Sequence, residues 1–161
     1  MTTPRSVMCW MKVRRLQSAD VNVLLNATFE GSVHHESALD WLMRARSDSQ
    51  GLGLFSNVLV SFMRISTDRR IYEEPLSLED SRRFVDGLLA SPHVRVINPG
   101  PRHWEIFCDL ITRLQPGSRD VTDTSLAAAA IEVNAVWASF DRGFARYPTL
   151  RWVHPSDASP A

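Results

Sequence analysis

The sequence contains few of the residues that would build a covalent scaffold or a membrane segment. It has only two cysteines, and Cys9 and Cys108 belong to no CxxC pair and to no Cys/His cluster with zinc spacing. A disulfide framework is therefore not expected. No apolar run approaches the length that spans a membrane. The first 17 residues carry charges throughout and lack the continuous apolar core of a secretory signal, so we expect a soluble, cytoplasmic protein.

The sequence also carries no net charge. Eighteen basic residues balance eighteen acidic ones, so the whole-molecule charge indicates neither a nucleic acid nor a membrane partner. Any contact with RNA or DNA must then be local. Lysine is nearly absent, since Lys12 is the only one, and the planar fork of arginine suits bidentate binding to phosphate or carboxylate.

Short apolar segments of strand character alternate with longer segments of helical periodicity. Strands are predicted at 16–20, 51–55, 94–97, 136–139 and 150–153, and helices after Asp20, at 34–46, from Ser56, from a capping box formed by Ser77 and Asp80, at 102–114 and at 120–134. We predict a flexible N-terminal extension at 1–15, one folded domain at 16–155 and a disordered tail at 156–161. The alternation predicts an α/β fold with a central, mainly parallel sheet of four to five strands flanked by helices.

Three aspartates stand where a strand or a small-residue segment meets a helix: Asp20, Asp123 and Asp141. Ligands of parallel sheets bind beyond the carboxyl ends of the strands, where these side chains are expected to meet. Clustered carboxylates raise each other's pKa unless a cation compensates them, so the set predicts a divalent-metal site. Each aspartate could instead be a simple helix cap, and Asp120 could take the capping role next to Asp123.

Other polar and aromatic residues give weaker indications. Asn22, two positions after Asp20, can orient that carboxylate or a bound water. Three histidines are better explained by packing or capping than by metal binding: His34, His35 and His103. Three tryptophans fall on apolar stripes and are expected in the core: Trp41, Trp104 and Trp137.

Several motifs in one order connect these observations. They are Asp20-Val-Asn-Val-Leu-Leu25, His34-His35-Glu36, Phe62-Met-Arg-Ile-Ser-Thr67, Pro99-Gly-Pro-Arg-His-Trp104, Val121-Thr-Asp-Thr124 with its alanine run, and Ser139-Phe-Asp-Arg-Gly-Phe-Ala-Arg146 leading to Leu150-Arg-Trp-Val153. Together they resemble PIN-domain ribonucleases, specifically the VapC toxins of bacterial toxin–antitoxin pairs, from about Ser18 to Pro155. The resemblance implies a PIN-like fold for the domain at 16–155.

The resemblance also implies a function. It implies a dimeric endoribonuclease, dependent on Mg²⁺ or Mn²⁺, that hydrolyses RNA phosphodiester bonds with a metal-activated water and is neutralised by a VapB antitoxin. The residues that match the catalytic, metal-binding positions are Asp20, Asp123 and Asp141. Residues expected to support them are Asn22, Ser61 and Ser139. Candidates for contacting RNA phosphates are Arg64, Arg142 and Arg146, although Arg64 could equally be a buried partner of a carboxylate.

Two positions depart from the pattern. Many members carry a glutamate where this chain has Ser61, and another acid often stands where it has Gly143. Both losses weaken the carboxylate set. They leave open a second reading, in which the chain is a PIN-fold module that binds RNA or antitoxin with weak catalysis or none.

Overall fold

Five short strands form the central sheet of the protein. The computed structural model describes residues 15–157. Within that part of the chain the strands are Gln17–Ala19 (β1), Leu52–Phe55 (β2), Val94–Ile97 (β3), Val136–Ala138 (β4) and Arg151–Val153 (β5). They lie in the order β3-β2-β1-β4-β5, and every neighbouring pair is parallel. The predicted α/β fold with a parallel sheet is confirmed.

Six α-helices connect the strands in the described chain. They are Val21–Thr28 (α1), His35–Ser47 (α2), Ser56–Ser66 (α3), Leu78–Leu89 (α4), His103–Leu114 (α5) and Val121–Glu132 (α6). Right-handed crossovers place α1 to α4 on one face of the sheet and α5 and α6 on the other. The packing agrees, because α1 contacts α2 and α3, α3 contacts α4, and α5 contacts α6.

The predicted element boundaries agree with the structure to within two residues. A 3-10 turn, Ser118–Asp120, leads into α6. Arg15, the last residue of the predicted extension, donates its backbone N–H to Gln50 Oε1 at 2.6 Å. Ser156 and Asp157, the first two residues of the predicted tail, belong to a 3-10 turn, Pro155–Asp157. The rest of the predicted extension and tail, 1–14 and 158–161, lies outside the described residues.

The strand order reverses direction at one place. From β1 the chain winds outward through β2 to β3, then crosses back to β4 on the other side of β1 and continues to β5. The carboxyl ends of β1 and β4 are therefore neighbours, and the chain leaves β1 toward β2 and β4 toward β5, in opposite directions along the sheet. Such a switch point opens a crevice where α/β proteins bind their ligands. Ala19 pairs with Ala138 at this edge, so the residues after each strand emerge side by side.

Small and aromatic residues fill the core around this crevice. Ala127, Ala128 and Ala130 are fully buried on α6, and their short side chains let that helix pack close to the sheet. Trp41 and Trp137 are buried as predicted, but the prediction for Trp104 is wrong, since its side chain is 70% exposed. Trp104 precedes the buried Leu110 by six positions on α5, which places it about 120° around the helix from the buried stripe.

The described helices also bear on membrane insertion. Between residues 15 and 157, none is both long enough and apolar enough to cross a bilayer.

Candidate functional site

Hydrogen bonds hold both the backbone and the carboxylate of Asp20 at the carboxyl end of β1. Its backbone N–H donates to the carbonyl oxygen of Ala138 at 2.9 Å, which joins the ends of β1 and β4. Its Oδ1 accepts the Val21 N–H at 2.7 Å and so caps α1. Its Oδ2 accepts the Ser139 hydroxyl at 2.7 Å and the Asn22 side-chain amide at 2.9 Å. The carboxylate is thus a helix cap and, at the same time, part of the crevice.

Ser139 and Asn22 form the support behind Asp20. A hydroxyl donates only once, and because Ser139 donates to Asp20, its Oγ is an acceptor for Asn22 Nδ2 at 2.9 Å and for the Asp141 N–H at 3.0 Å. Asn22 Oδ1 accepts the Phe140 N–H at 3.2 Å. These bonds fix the Asp20 carboxylate against the segment that follows β4.

Asp123 faces Asp20 across a small cleft. The cleft has a volume of about 170 Å³, and its lining includes Asp20, Ser61, Arg64, Thr122 and Asp123. Asp123 lies in the first turn of α6, and no described residue donates a hydrogen bond to its carboxylate. The structure thus brings together two of the three predicted metal-binding carboxylates, with the predicted supporting residue Ser61 beside them.

The electrostatics of the cleft favour a compensating cation. Burial raises the pKa of Asp20 to about 6, hydrogen bonds from Ser139 and from the Val21 N–H oppose the rise, and the charges of Asp123 and Asp141 add to it. Burial also raises the pKa of Asp123, and the charge of Asp141 adds to that rise while Arg146 opposes it. The three carboxylates therefore repel one another in the folded state, which a divalent ion would relieve.

Asp141 stands at the edge of this arrangement. Its Oδ1 accepts the Gly143 N–H at 2.7 Å and caps the 3-10 turn Arg142–Arg146, and the side chain is exposed. A Cβ on residue 143 would lie 2.9 Å from this same oxygen, so glycine is what leaves room for the cap. Asp141 is coupled to the other two carboxylates by charge but does not line the cleft with them.

The donor set fits a hard divalent cation bound by few protein oxygens. Within residues 15–157, no three acidic, histidine or cysteine side chains lie close enough together to ligate one ion. Mg²⁺ commonly uses one or two carboxylates and keeps several waters. Asp20 and Asp123 on opposite sides of one cleft meet that requirement, and the cleft contains no cysteine or histidine that would favour a softer metal.

The three predicted RNA-binding arginines have different surroundings. Arg64 lines the cleft, is exposed, and makes no side-chain hydrogen bond or ion pair with another described residue; the alternative of a buried carboxylate partner is therefore wrong. Arg142 is 70% exposed, with Nη2 3.9 Å from Asp157 Oδ2. Arg146 is engaged instead, with Nη1 3.1 Å from Asp120 Oδ2. Asp120 precedes α6 but makes no side-chain capping bond, so the alternative that it caps the helix is wrong.

The histidines have packing and hydrogen-bonding roles. His34 stacks on Phe140 with ring centroids 4.4 Å apart. His35 Nδ1 lies 3.0 Å from the Asn26 carbonyl oxygen, and His103 Nε2 lies 2.9 Å from that of Ser125. A second, open pocket of about 730 Å³ lies between Phe29 and Glu74 and contains none of the predicted site residues.

Fold and site together define a class: a parallel α/β domain with acidic side chains at the switch point of its sheet. A model of the PIN domain family matches residues 19–150. Ribonuclease VapC43 of Mycobacterium tuberculosis is 44% identical over 138 residues, which cover 86% of this chain and 94% of that protein. Ribonuclease VapC33 of the same species is 35% identical over 136 residues, covering 84% and 95%. The chain belongs to the PIN-domain family and, within it, to the VapC ribonuclease toxins.

Solved structures agree at the level of the fold. VapBC2 from Rickettsia felis, bound to a DNA fragment from its promoter, aligns with a TM-score of 0.62 at 18% identity over 86% of this chain and 98% of that chain. VapC20 of Mycobacterium tuberculosis, a Sarcin-Ricin loop cleaving toxin, aligns with a TM-score of 0.61 at 14% identity over 87% and 99%. The PIN-like fold is therefore confirmed.

Proposed function

We propose that this chain is a Mg²⁺- or Mn²⁺-dependent endoribonuclease of the VapC type, with Asp20 and Asp123 as the principal metal ligands and Asp141 as the third carboxylate. One observation carries the proposal: Asp20 and Asp123 come from distant segments, face one cleft at the β1/β4 switch point, and have raised pKa values. Membership of the VapC ribonucleases supplies the substrate class, RNA.

The residues around the candidate metal site would have separate roles. Ser139 and Asn22 hold the Asp20 carboxylate in one orientation beside the cleft that it lines. Arg64, exposed at the cleft, is placed to pair with the RNA phosphate, and Arg142 is a second candidate at the edge. A divalent ion bound here would lower the pKa of a water and neutralise charge developing on the scissile phosphate. No side-chain nucleophile is needed.

The experiment is RNA cleavage by the purified chain. We expect cleavage with Mg²⁺ or Mn²⁺, no cleavage in EDTA, and a loss of at least about a hundredfold in Asp20→Asn and Asp123→Asn, because electrostatic stabilisation of a charged transition state is commonly worth that much. Asp109→Asn is the matched control, since Asp109 is an exposed aspartate on α5 paired with Arg113. Full activity in EDTA would contradict the metal mechanism.

A second candidate function is a PIN-fold module that binds RNA or antitoxin without cleaving. The observation in its favour is that no three candidate ligands lie within reach of one ion in the described chain. The resemblance to PIN-domain ribonucleases also leads us to expect acids where this chain has Ser61 and Gly143. Titration calorimetry with Mn²⁺ separates the two. Undetectable metal binding, with partner binding unchanged in Asp20→Asn, would support the module.

We also propose a VapB-type antitoxin and a second copy of the chain as partners. The support is that the fold matches toxin–antitoxin complexes, among them VapBC-1 from nontypeable Haemophilus influenzae. Co-expression with the product of the adjacent gene should restore growth and suppress RNA cleavage. Light scattering of the free toxin should give about twice the chain mass of 18.2 kDa; a monomer would contradict the dimer.

A further inference from the structure

Four residues around the start of α6 form a closed ring of hydrogen bonds: Asp120, Thr124, Arg146 and Tyr147, called here the Arg146 clamp. Arg146 Nη1 donates to Asp120 Oδ2 at 3.1 Å, and its Nη2 donates to the Tyr147 phenol oxygen at 3.2 Å. Tyr147 Oη lies 3.0 Å from Thr124 Oγ1, and Thr124 Oγ1 donates to the Asp120 carbonyl oxygen at 2.8 Å.

The direction of every bond in the ring is determined. The Thr124 hydroxyl gives its one proton to the Asp120 carbonyl, so it must accept from Tyr147, which in turn accepts from Arg146. Thr124 is fully buried and Tyr147 is 2% exposed. Removing Arg146 or the Tyr147 hydroxyl would open the ring beside these two buried side chains. The clamp is therefore a rigid connection.

The two segments that the clamp joins are the ones that carry Asp123 and Asp141. Asp120, just before α6, and Thr124, within it, flank Asp123, and Arg146 ends the 3-10 turn that Asp141 caps. The Asp123 side chain makes no hydrogen bond to a described residue, and the Asp141 carboxylate accepts only the Gly143 N–H of its own turn among the described residues. Within the described residues, the clamp therefore joins the start of α6, which carries Asp123, to the turn that follows β4.

We propose that Arg146 is a positioning residue of the metal site: through the clamp it holds the start of α6, and with it Asp123, in place at the cleft, rather than contacting RNA. This inference rests on the proposed metal-dependent function. It predicts that loss of Arg146 changes the affinity for a cation in the opposite direction from the change that loss of its positive charge alone would cause. Arg146 is a positive charge near two carboxylates, and it opposes the rise in the pKa of Asp123; removing the charge alone should tighten the binding of a cation. Removing the clamp should weaken it.

The test is the Mn²⁺ affinity of the full-length protein, measured by titration calorimetry without RNA. We expect the dissociation constant to rise about tenfold in Arg146→Ala and severalfold in Arg146→Lys, which keeps the charge but loses the two-pronged donor. Tyr147→Phe keeps Arg146 and the aromatic side chain but removes the hydroxyl that the clamp needs, and it should also weaken Mn²⁺ binding. Arg113→Ala is the matched control, because Arg113 forms an exposed ion pair with Asp109 at 2.9 Å on α5, and it should bind as the unaltered chain does.

RNA kinetics complete the test. The clamp predicts that saturating Mn²⁺ restores most of kcat in Arg146→Lys with an unchanged KM for RNA. Mn²⁺ affinity that is unchanged or tighter in Arg146→Ala, with a raised KM for RNA, would overturn the clamp and make Arg146 an RNA contact. If Arg146→Ala does not fold, as judged by circular dichroism, unchanged affinity in Tyr147→Phe would overturn the clamp in the same way. No Mn²⁺ binding by the unaltered chain would overturn the proposed function and the clamp together, whereas normal binding in every variant would overturn the clamp alone.

Discussion

Asp20 combines two roles that are usually assigned to different residues. One oxygen caps α1 and the other is held by Ser139 and Asn22. A cap alone would be exposed to solvent, whereas Asp20 is 6% exposed and its pKa is raised to about 6 by burial. The capping interpretation of this residue was therefore correct but incomplete, because a cap does not require the burial that raises the pKa.

The raised pKa of Asp20 predicts how stability depends on pH. Because the folded pKa, about 6, exceeds the ordinary value of 3.8, folding favours the protonated form. The contribution to stability is fully present below about pH 4 and is lost as pH rises through 6. In EDTA at pH 7.5 the ionised carboxylate should cost on the order of 3 kcal/mol.

Asp20→Asn stays neutral at every pH, so its stability relative to the unaltered chain should rise by that amount between pH 4 and 7.5. Urea denaturation at both pH values measures it. Asp109→Asn, at an exposed position on α5, is the control and should show much less change. Equal pH dependence in the unaltered chain and Asp20→Asn would contradict the raised pKa.

At the scale of the element, α3 brings a serine into the cleft at a position where the resemblance to PIN-domain ribonucleases leads us to expect an acid. Ser61 lines the cleft with Asp20 and Asp123, and the preceding residue, Val60, is 65% exposed on the outer side of the helix. A glutamate can therefore be introduced at two neighbouring positions of one helix, at Ser61 inside the cleft and at Val60 outside it.

Ser61→Glu should increase Mn²⁺ affinity by about tenfold, equivalent to about 1.4 kcal/mol, since it adds a carboxylate to a cleft that has two. Val60→Glu adds the same charge away from the cleft and should change the affinity little. Calorimetric titration of both variants makes the comparison. Equal effects would mean that only the net charge matters, and weaker binding in Ser61→Glu would mean that the cleft does not hold the ion.

At the scale of the whole molecule, the site depends on the folded topology. Asp20 follows β1, Asp123 begins α6 and Asp141 follows β4, so the carboxylates approach one another only after the chain has crossed the sheet. A ligand that binds this arrangement binds the folded state and not the unfolded chain, and it must therefore stabilise the fold.

Addition of Mn²⁺ should accordingly raise the free energy of unfolding. At a free Mn²⁺ concentration a hundred times the dissociation constant, the gain should be about 2.7 kcal/mol. Thermal melts with Mn²⁺ and with EDTA measure the gain, which should persist in Asp109→Asn and vanish in Asp20→Asn. An equal shift in Asp20→Asn would place the ion elsewhere.

Much of the fold could be predicted from local signals, because strand length, helix periodicity, caps and proline turns are encoded within a few residues. The sequence was less informative where tertiary contacts decide. Trp104 lies on an apolar stretch, but its helix turns another face to α6. Arg146 is predicted to contact an RNA phosphate, and that stays a prediction. Its hydrogen-bond ring with Asp120, Thr124 and Tyr147 could not be predicted, because no spacing rule connects these residues and the ring forms only when α6 meets the turn after β4.

The sequence by itself determined which elements form and which residue types are available: a parallel α/β chain with aspartates at element ends. Only the tertiary structure decided how they are used. The reversal of strand order placed Asp20 beside the segment after β4, Ser139 and Asn22 fixed its carboxylate, and the cleft joined Asp20 to Asp123 while leaving Asp141 at its edge. The physical reason is that hydrogen-bond direction and burial depend on distances across the sheet, whereas strand and helix signals depend on neighbours along the chain.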